Sequence, residues 1–390
     1  MKSVIMLEPE PGPAWFPFAD CRPVSELRAG AWLIRERWEA VAEADASQIF
    51  GAPHLKSFVE EGVPPVSQRQ PVAGPAVVGR SDFAPAGVPL DLDGRGPLRL
   101  VNQGITVGWW VPEGSTWDGA HEDWDETEID GLILNGTYDL ITALEHLLAP
   151  DTDDFTNEPG DPLPQGCIVI GDPGHVVTLG AAVEPGTTFD VRHGVVVIEQ
   201  HTHVKSGTRL EGPLYVGPGC EVLGGPIHAC SVGPRCKVRG EMSDSVMLGY
   251  ANKGHDGFVG HSVLGRWVNL GAGTTTSNLK NTYGNVKLVL GGEPLETGRQ
   301  FLGTLFGDHC KTAIGTMLST GAAVGAGANV FGQATAIKYV PPFAWGVAGE
   351  RMQLDGFLRV AERVLPRRHV ELTDEIRTML TAVYDHTVRQ

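Results

Sequence analysis

The stretch Gly254 to Asn278, GHDGFVGHSVLGRWVNLGAGTTTSN, decides how this chain is read. Two aliphatic-Gly pairs, Leu264-Gly265 and Leu270-Gly271, stand six residues apart, and His255 precedes them in a polar segment. The same spacing returns on either side: Val216-Gly217 leads to Val222, Val232-Gly233 to Val238, and Val324-Gly325 to Val330. An aliphatic side chain every six residues fills a narrow prism, and small residues turn each corner. The period therefore predicts a parallel β-helix with three flat faces of stacked strands. Frequent tight corners also account for 51 glycines and 28 prolines in 390 residues that are 42% hydrophobic.

Two segments break the period, Leu248 to Asp256 and Leu279 to Thr304, and both are expected as corner loops, where a rigid scaffold positions functional groups. Cys220, Cys230 and Cys236 fall within the repeat. With Cys21, Cys167 and Cys310 they form no Cys-x-x-Cys pair, so buried free thiols are expected. His201 and His203 share a strand face, but no third metal ligand accompanies them, and His261 reads as a surface residue. After Phe331 the repeat stops. Glu350 to Leu365, and a second segment from Thr373, carry apolar residues at helical spacing and are expected to cap the last coil or meet a neighbouring subunit.

Residues 1–150 read as a compact α/β domain. Val4 to Leu7, Ala76 to Val78 and Leu98 to Val101 are strand candidates, and Ala31 to Ala44 and Tyr138 to Leu148 are helix candidates. The acidic, Pro-containing stretch 151–165 is the expected linker, 166–340 the β-helix and 341–390 the helical cap. None of the familiar Gly-rich phosphate loops occurs in the first domain. Four arginines, Arg22, Arg28, Arg35 and Arg37, lie there within sixteen residues. A charged helix face accounts for Arg35 and Arg37, which leaves Arg22 and Arg28 as candidates to meet a nucleotide phosphate.

A formal charge of −17 argues against a nucleic-acid partner, which needs a basic face. The N-terminal run MKSVIMLEPEPGP is too short and too acidic for a signal peptide, and no apolar run approaches a membrane span. A cytoplasmic protein without a membrane partner is expected.

The run around His255, Phe258 and Gly260, followed by VNLGAGTTTSN over Val268 to Asn278, resembles the left-handed β-helix acyltransferases. It is most similar to the acetyltransferase domain of bifunctional N-acetylglucosamine-1-phosphate uridyltransferase/glucosamine-1-phosphate acetyltransferases. Arg22-Pro23-Val24, with Leu27-Arg28 and Gly30, resembles the variant bacterial and archaeal GlmU-like group of sugar nucleotidyltransferases. The resemblance implies acetyl-CoA as co-substrate and a hexosamine 1-phosphate as acceptor. It further implies a nucleoside triphosphate with Mg2+ at the N-terminal domain, and a homotrimer.

By that resemblance His255 is the catalytic base, and Asn269 and Asn278 contact the sugar phosphate. Ala272, Thr316 and Gly332 meet acetyl-CoA. Phe258 stands where the common enzymes have Tyr, and Ser243 where they have a phosphate-binding Lys. Arg239, Lys253 and Lys280 (or Lys287) are the basic residues available instead. An imidazole, which titrates near about 6.5, can take a proton at neutral pH. Two other readings stay open: nucleotidyl transfer as the main activity, or a non-catalytic oligomeric scaffold or metabolite sensor.

Overall fold

The computed structural model describes residues 1–10, 12–290, 293–332, 337–347 and 349–389. An N-terminal α/β domain is followed by a parallel β-solenoid and two C-terminal helices. Ser3–Leu7 lies inside a seven-stranded sheet, flanked in parallel by Ala46–Phe50 and Ala76–Arg80. Ile105–Val111 runs antiparallel to Ala76–Arg80 and to Leu98–Asn102. The expected helix over 31–44 is shorter, Ile34–Ala42, because Arg28–Ala29 and Trp32–Leu33 pair as a tight hairpin. The Glu36 carboxylate caps the helix start by accepting from the Leu33 N–H at 2.8 Å.

The second helix, Asp139–Asp154, continues four residues into the stretch read as a linker. Asp151 is held there by an ion pair with Arg37 and accepts from the Ala31 N–H at 2.7 Å. The helix then packs on the solenoid. Leu144 and Leu147 share one core with Tyr215 and Val246, and the Trp32 ring stacks on Phe155 at 5.4 Å, with Tyr215 tilted 6.0 Å away. Domain and solenoid are thus joined through a common apolar core.

The solenoid has three faces. The first stacks six strands from Ile168–Ile170 to Phe258–Gly260, and the second nine from Val176–Thr178 to Tyr339–Val340. The third runs from Ala182–Val183 through Asn252–Lys253, and bridges at Asn269 carry it on to Lys311–Thr312 and Asn329–Val330. On this face the inward positions are Val204, Val222, Val238, Lys253, Leu270, Thr312 and Val330, all buried. The outward positions from His203 to Asn329 are polar.

Leu248 to Asp256, expected as an insertion, is an ordinary coil: Val246–Met247, Asn252–Lys253 and Phe258–Gly260 are successive strands on the three faces. Lys253 disguises the period because it occupies an inward position at 2% exposure, its stem packed where other coils carry Val or Leu. Leu279 to Thr304 is a real insertion and carries an antiparallel hairpin, Lys287–Leu290 with Glu293–Glu296. Cys220, Cys230, Cys236 and Cys310 are buried inside the prism as free thiols, and Cys21 is buried beside it.

The C-terminal helices Leu354–Val364 and Asp374–Arg389 cover the corner between the second and third faces. Phe357, Leu380 and Tyr384 pack there on Trp267, Ala326 and Phe343. No helix among the described residues is long and apolar enough to cross a membrane.

Candidate functional site

At the corner between the third and first faces, successive turns stack into a column. The Gly273 N–H donates to Asp256 O at 2.9 Å and the Gly315 N–H to Ala272 O at 2.7 Å. The Ala313 N–H donates to Val330 O at 2.9 Å, which puts Phe331-Gly332 one turn further along. Below, the Arg239 N–H donates to Lys253 O at 2.7 Å, and its guanidinium reaches Asp256 at 3.1 Å. Arg239, His255, Ala272, Thr316 and Gly332 therefore share one edge of the prism.

His255 is exposed at this edge, and its side chain has no hydrogen-bond or ion-pair partner among the described residues. The turn that carries it is fixed from inside. Lys253 Nζ donates to His255 O at 2.5 Å and to Arg239 O at 2.8 Å. Burial pushes the Lys253 ammonium down to about 8. Expected as a phosphate contact, Lys253 is corrected to an internal clamp, because its amine points into the coil. Thr316 is buried and its hydroxyl donates to Ala313 O at 2.8 Å, so it shapes the turn two coils above His255.

Phe258 lies on the first face next to that edge, and Asn278 lies at the far end of the same face. Asn278 Nδ2 is 3.0 Å from Nδ1 of His261, an imidazole expected at the surface. His261 also lies 3.8 Å from the Asp244 carboxylate and stacks on Phe301 at 5.2 Å. Burial pushes its pKa down, and Asp244 opposes that shift. His255 and His261 are one hexad apart, so they flank the strand Phe258–Gly260 from its two corners. That spacing was the available signal.

Asn269 occupies the third face, where its Oδ1 accepts from Asn252 Nδ2 at 2.7 Å. Lys280 lies in the insertion, and its ammonium donates to Asn285 O at 2.9 Å.

In the N-terminal domain the arginines have other duties. Arg22 is fully buried, paired with Asp308 at 2.7 Å and with Glu60 at 2.8 Å. Arg28 is buried, donates to Ala31 O and lies over the Tyr215 ring at 5.5 Å. A phosphate contact by Arg22 is corrected on this ground, since Asp308 and Glu60 take its guanidinium, whereas Arg28 is buried against Ala31 and Tyr215 with its Nε unpartnered among the described residues. The open space lies elsewhere, at the C-terminal ends of Ser3–Leu7 and Ala46–Phe50, where a cavity of about 670 Å3 is lined by Glu10, Gly51, His54 and Arg69. Strand ends of a parallel sheet are where such domains bind ligands. Glu8, at its rim, accepts from the Val24 and Ser25 N–H groups and the Ser81 hydroxyl. Among the described residues no group of three or more His, Cys, Asp or Glu is arranged to hold a metal ion, and Glu8 and Glu10 are the carboxylates that line this cavity.

The chain is similar to bifunctional sugar-1-phosphate transferases. A family model described as sugar nucleotidyl transferase matches residues 4–81. A bifunctional sugar-1-phosphate nucleotidylyltransferase/acetyltransferase of Sulfurisphaera tokodaii is 33% identical over 144 residues, 35% of this chain and 35% of the relative. The bifunctional protein GlmU of Acaryochloris marina is 25% identical over 218 residues, 48% of this chain and 42% of the relative. That of a Synechococcus strain is 31% identical over 134 residues, 26% of this chain and 29% of the relative. The matched stretches thus span less than half of each of these curated relatives.

Proposed function

We propose that the solenoid transfers an acetyl group from acetyl-CoA to the amine of a hexosamine 1-phosphate, at the edge that carries His255. The observation that carries this reading is the column itself: an exposed, unpartnered imidazole lies on the same prism edge as the Ala272, Thr316 and Gly332 turns. The sugar amine attacks the thioester carbonyl carbon, and His255 takes the proton the amine loses. Collapse of the tetrahedral intermediate breaks the C–S bond. The thiolate leaves and is protonated to give free CoA, while the N-acetyl sugar phosphate forms. Backbone N–H groups of the stacked turns are suited to hold the oxyanion. Exposed Ile314, Met317 and Phe331 beside this edge supply apolar surface for a pantetheine arm or a neighbouring prism of a homotrimer.

The test is release of CoA thiol from acetyl-CoA mixed with glucosamine 1-phosphate or galactosamine 1-phosphate. A rate no higher than the protein-free background with both acceptors overturns the proposal. A second reading rests on the strand-end cavity and the family match over residues 4–81: a divergent nucleotidyltransferase that joins a nucleoside triphosphate to a sugar 1-phosphate. Pyrophosphate release distinguishes it, and its loss in Arg69→Ala would localise it to that cavity.

A further inference from the structure

The outward ladder of the third face runs, rung by rung, Glu221, Lys237, Asn252, Asn269, Lys311 and Asn329. Adjacent rungs lie about 4.8 Å apart, so Lys237 and Lys311 bracket a pair of amides within a reach of roughly 14 Å. The segment after the first C-terminal helix crosses this ladder and brings Arg367 and Arg368 over it. The floor and the crossing segment enclose a cavity of about 340 Å3, separate from the His255 edge.

Its charge balance is unusual for a chain of net charge −17. Four cations line it, and the one carboxylate paired with any of them among the described residues is Glu221, 2.7 Å from Lys237. The Lys311 ammonium donates only to His309 O, at 2.8 Å, and has no acidic partner among the described residues. Arg368 donates to the carbonyls of Arg235 and Arg367, and Arg367 is exposed with no acidic partner among the described residues. Asn252 and Asn269 are tied to each other through a single bond, which leaves one amide N–H2 available at the floor.

Charges of one sign held together in a half-enclosed space repel each other and lose hydration, and burial already pushes the Lys311 ammonium down to about 8. An anion relieves both costs. The mixture of two ammoniums, two guanidinium forks and an amide suits the several oxygens of a phosphate group better than a single carboxylate. We propose that this trough, between the third face and the segment 364–368, binds the phosphate group of a small phosphorylated molecule. The trough takes in Asn269, which the resemblance assigns to the sugar phosphate, and none of the other residues assigned to acetyl transfer.

Isothermal titration of the full chain with inorganic phosphate in chloride buffer tests this. One saturable site per chain is expected. Arg367→Ala and Lys237→Ala should each weaken it about tenfold, as loss of a charge-assisted hydrogen bond does. Arg367 is exposed, so its replacement leaves the fold intact, as an unchanged melting curve would verify. Lys205→Ala removes the same charge from the same face, outside the trough, and should change nothing. Parallel titrations with pyrophosphate and glucosamine 1-phosphate distinguish a diphosphate from a sugar ester as the source, the tighter binder being the better match. Absence of phosphate binding, or equal weakening by all three variants, overturns the proposal.

Discussion

The N-terminal domain and the solenoid treat charged side chains in opposite ways. In the first domain Arg22, Arg28, Arg35 and Arg37 all turn inward, and Arg22 ties the domain to Asp308 of the solenoid. In the solenoid the corner at His255 stays outside. His255 is exposed on a turn that Lys253 clamps from beneath. A charge-rich run therefore marks internal scaffolding in one region and an open site in the other. What separates them is whether the fold surrounds the run or presents it at a corner.

The sharpest way to break that contrast is at His255. His255→Ala should reduce CoA release by about 10²–10⁴-fold while leaving the melting temperature unchanged. Undiminished turnover would show that the exposed imidazole is idle. The converse holds for Arg22: Arg22→Ala leaves Asp308 buried without its cation, while Glu60 keeps Arg266 at 3.0 Å, and should destabilise the chain by about 3–5 kcal/mol in urea unfolding. A loss under 1 kcal/mol would mean that Arg22 is not structural.

Lys253→Met keeps the stem and deletes the ammonium, leaving the carbonyls of Arg239 and His255 without that donor. A loss of about 1–3 kcal/mol is expected. Its pH signature is specific. The folded-state pKa of about 8 lies below the unfolded value near 10.4, so the unfolded chain binds more protons between these limits. Stability should therefore rise from pH 8 to 10, and the Met variant should flatten that rise.

The effect confined to acid pH concerns His309, buried against Trp267 and Phe357, where desolvation pushes the imidazole down to about 3. Between pH 6.5 and 3 the unfolded chain binds the extra proton, so stability falls on acidification, by at most about 1.4 kcal/mol per pH unit from this group. His309→Phe should shift the acid-unfolding midpoint downward. An unmoved midpoint would show that other groups govern acid stability.

Much of the solenoid is legible in the sequence because a coil is specified locally. Val216, Val222, Val232 and Val238 each stack on the like residue one coil away, so the period alone predicts the faces and the corner at His255. Legibility failed at Lys253, where an aliphatic stem fills an apolar position and the amine is satisfied by carbonyls, which no hydropathy pattern reveals. It failed again at His261, whose neighbour Asn278 comes from the next coil of the same face.

The sequence by itself determined the repeat, the insertion after Asn278 and the exposed turn at His255, since each follows from spacing over a few residues. Only the tertiary structure decided the fate of the cations. Arg22 meets a carboxylate 286 positions away, and Lys311 gathers with Lys237, Arg367 and Arg368 from distant parts of the chain. Burial and charge balance depend on what the whole fold brings together, and that is not a local property.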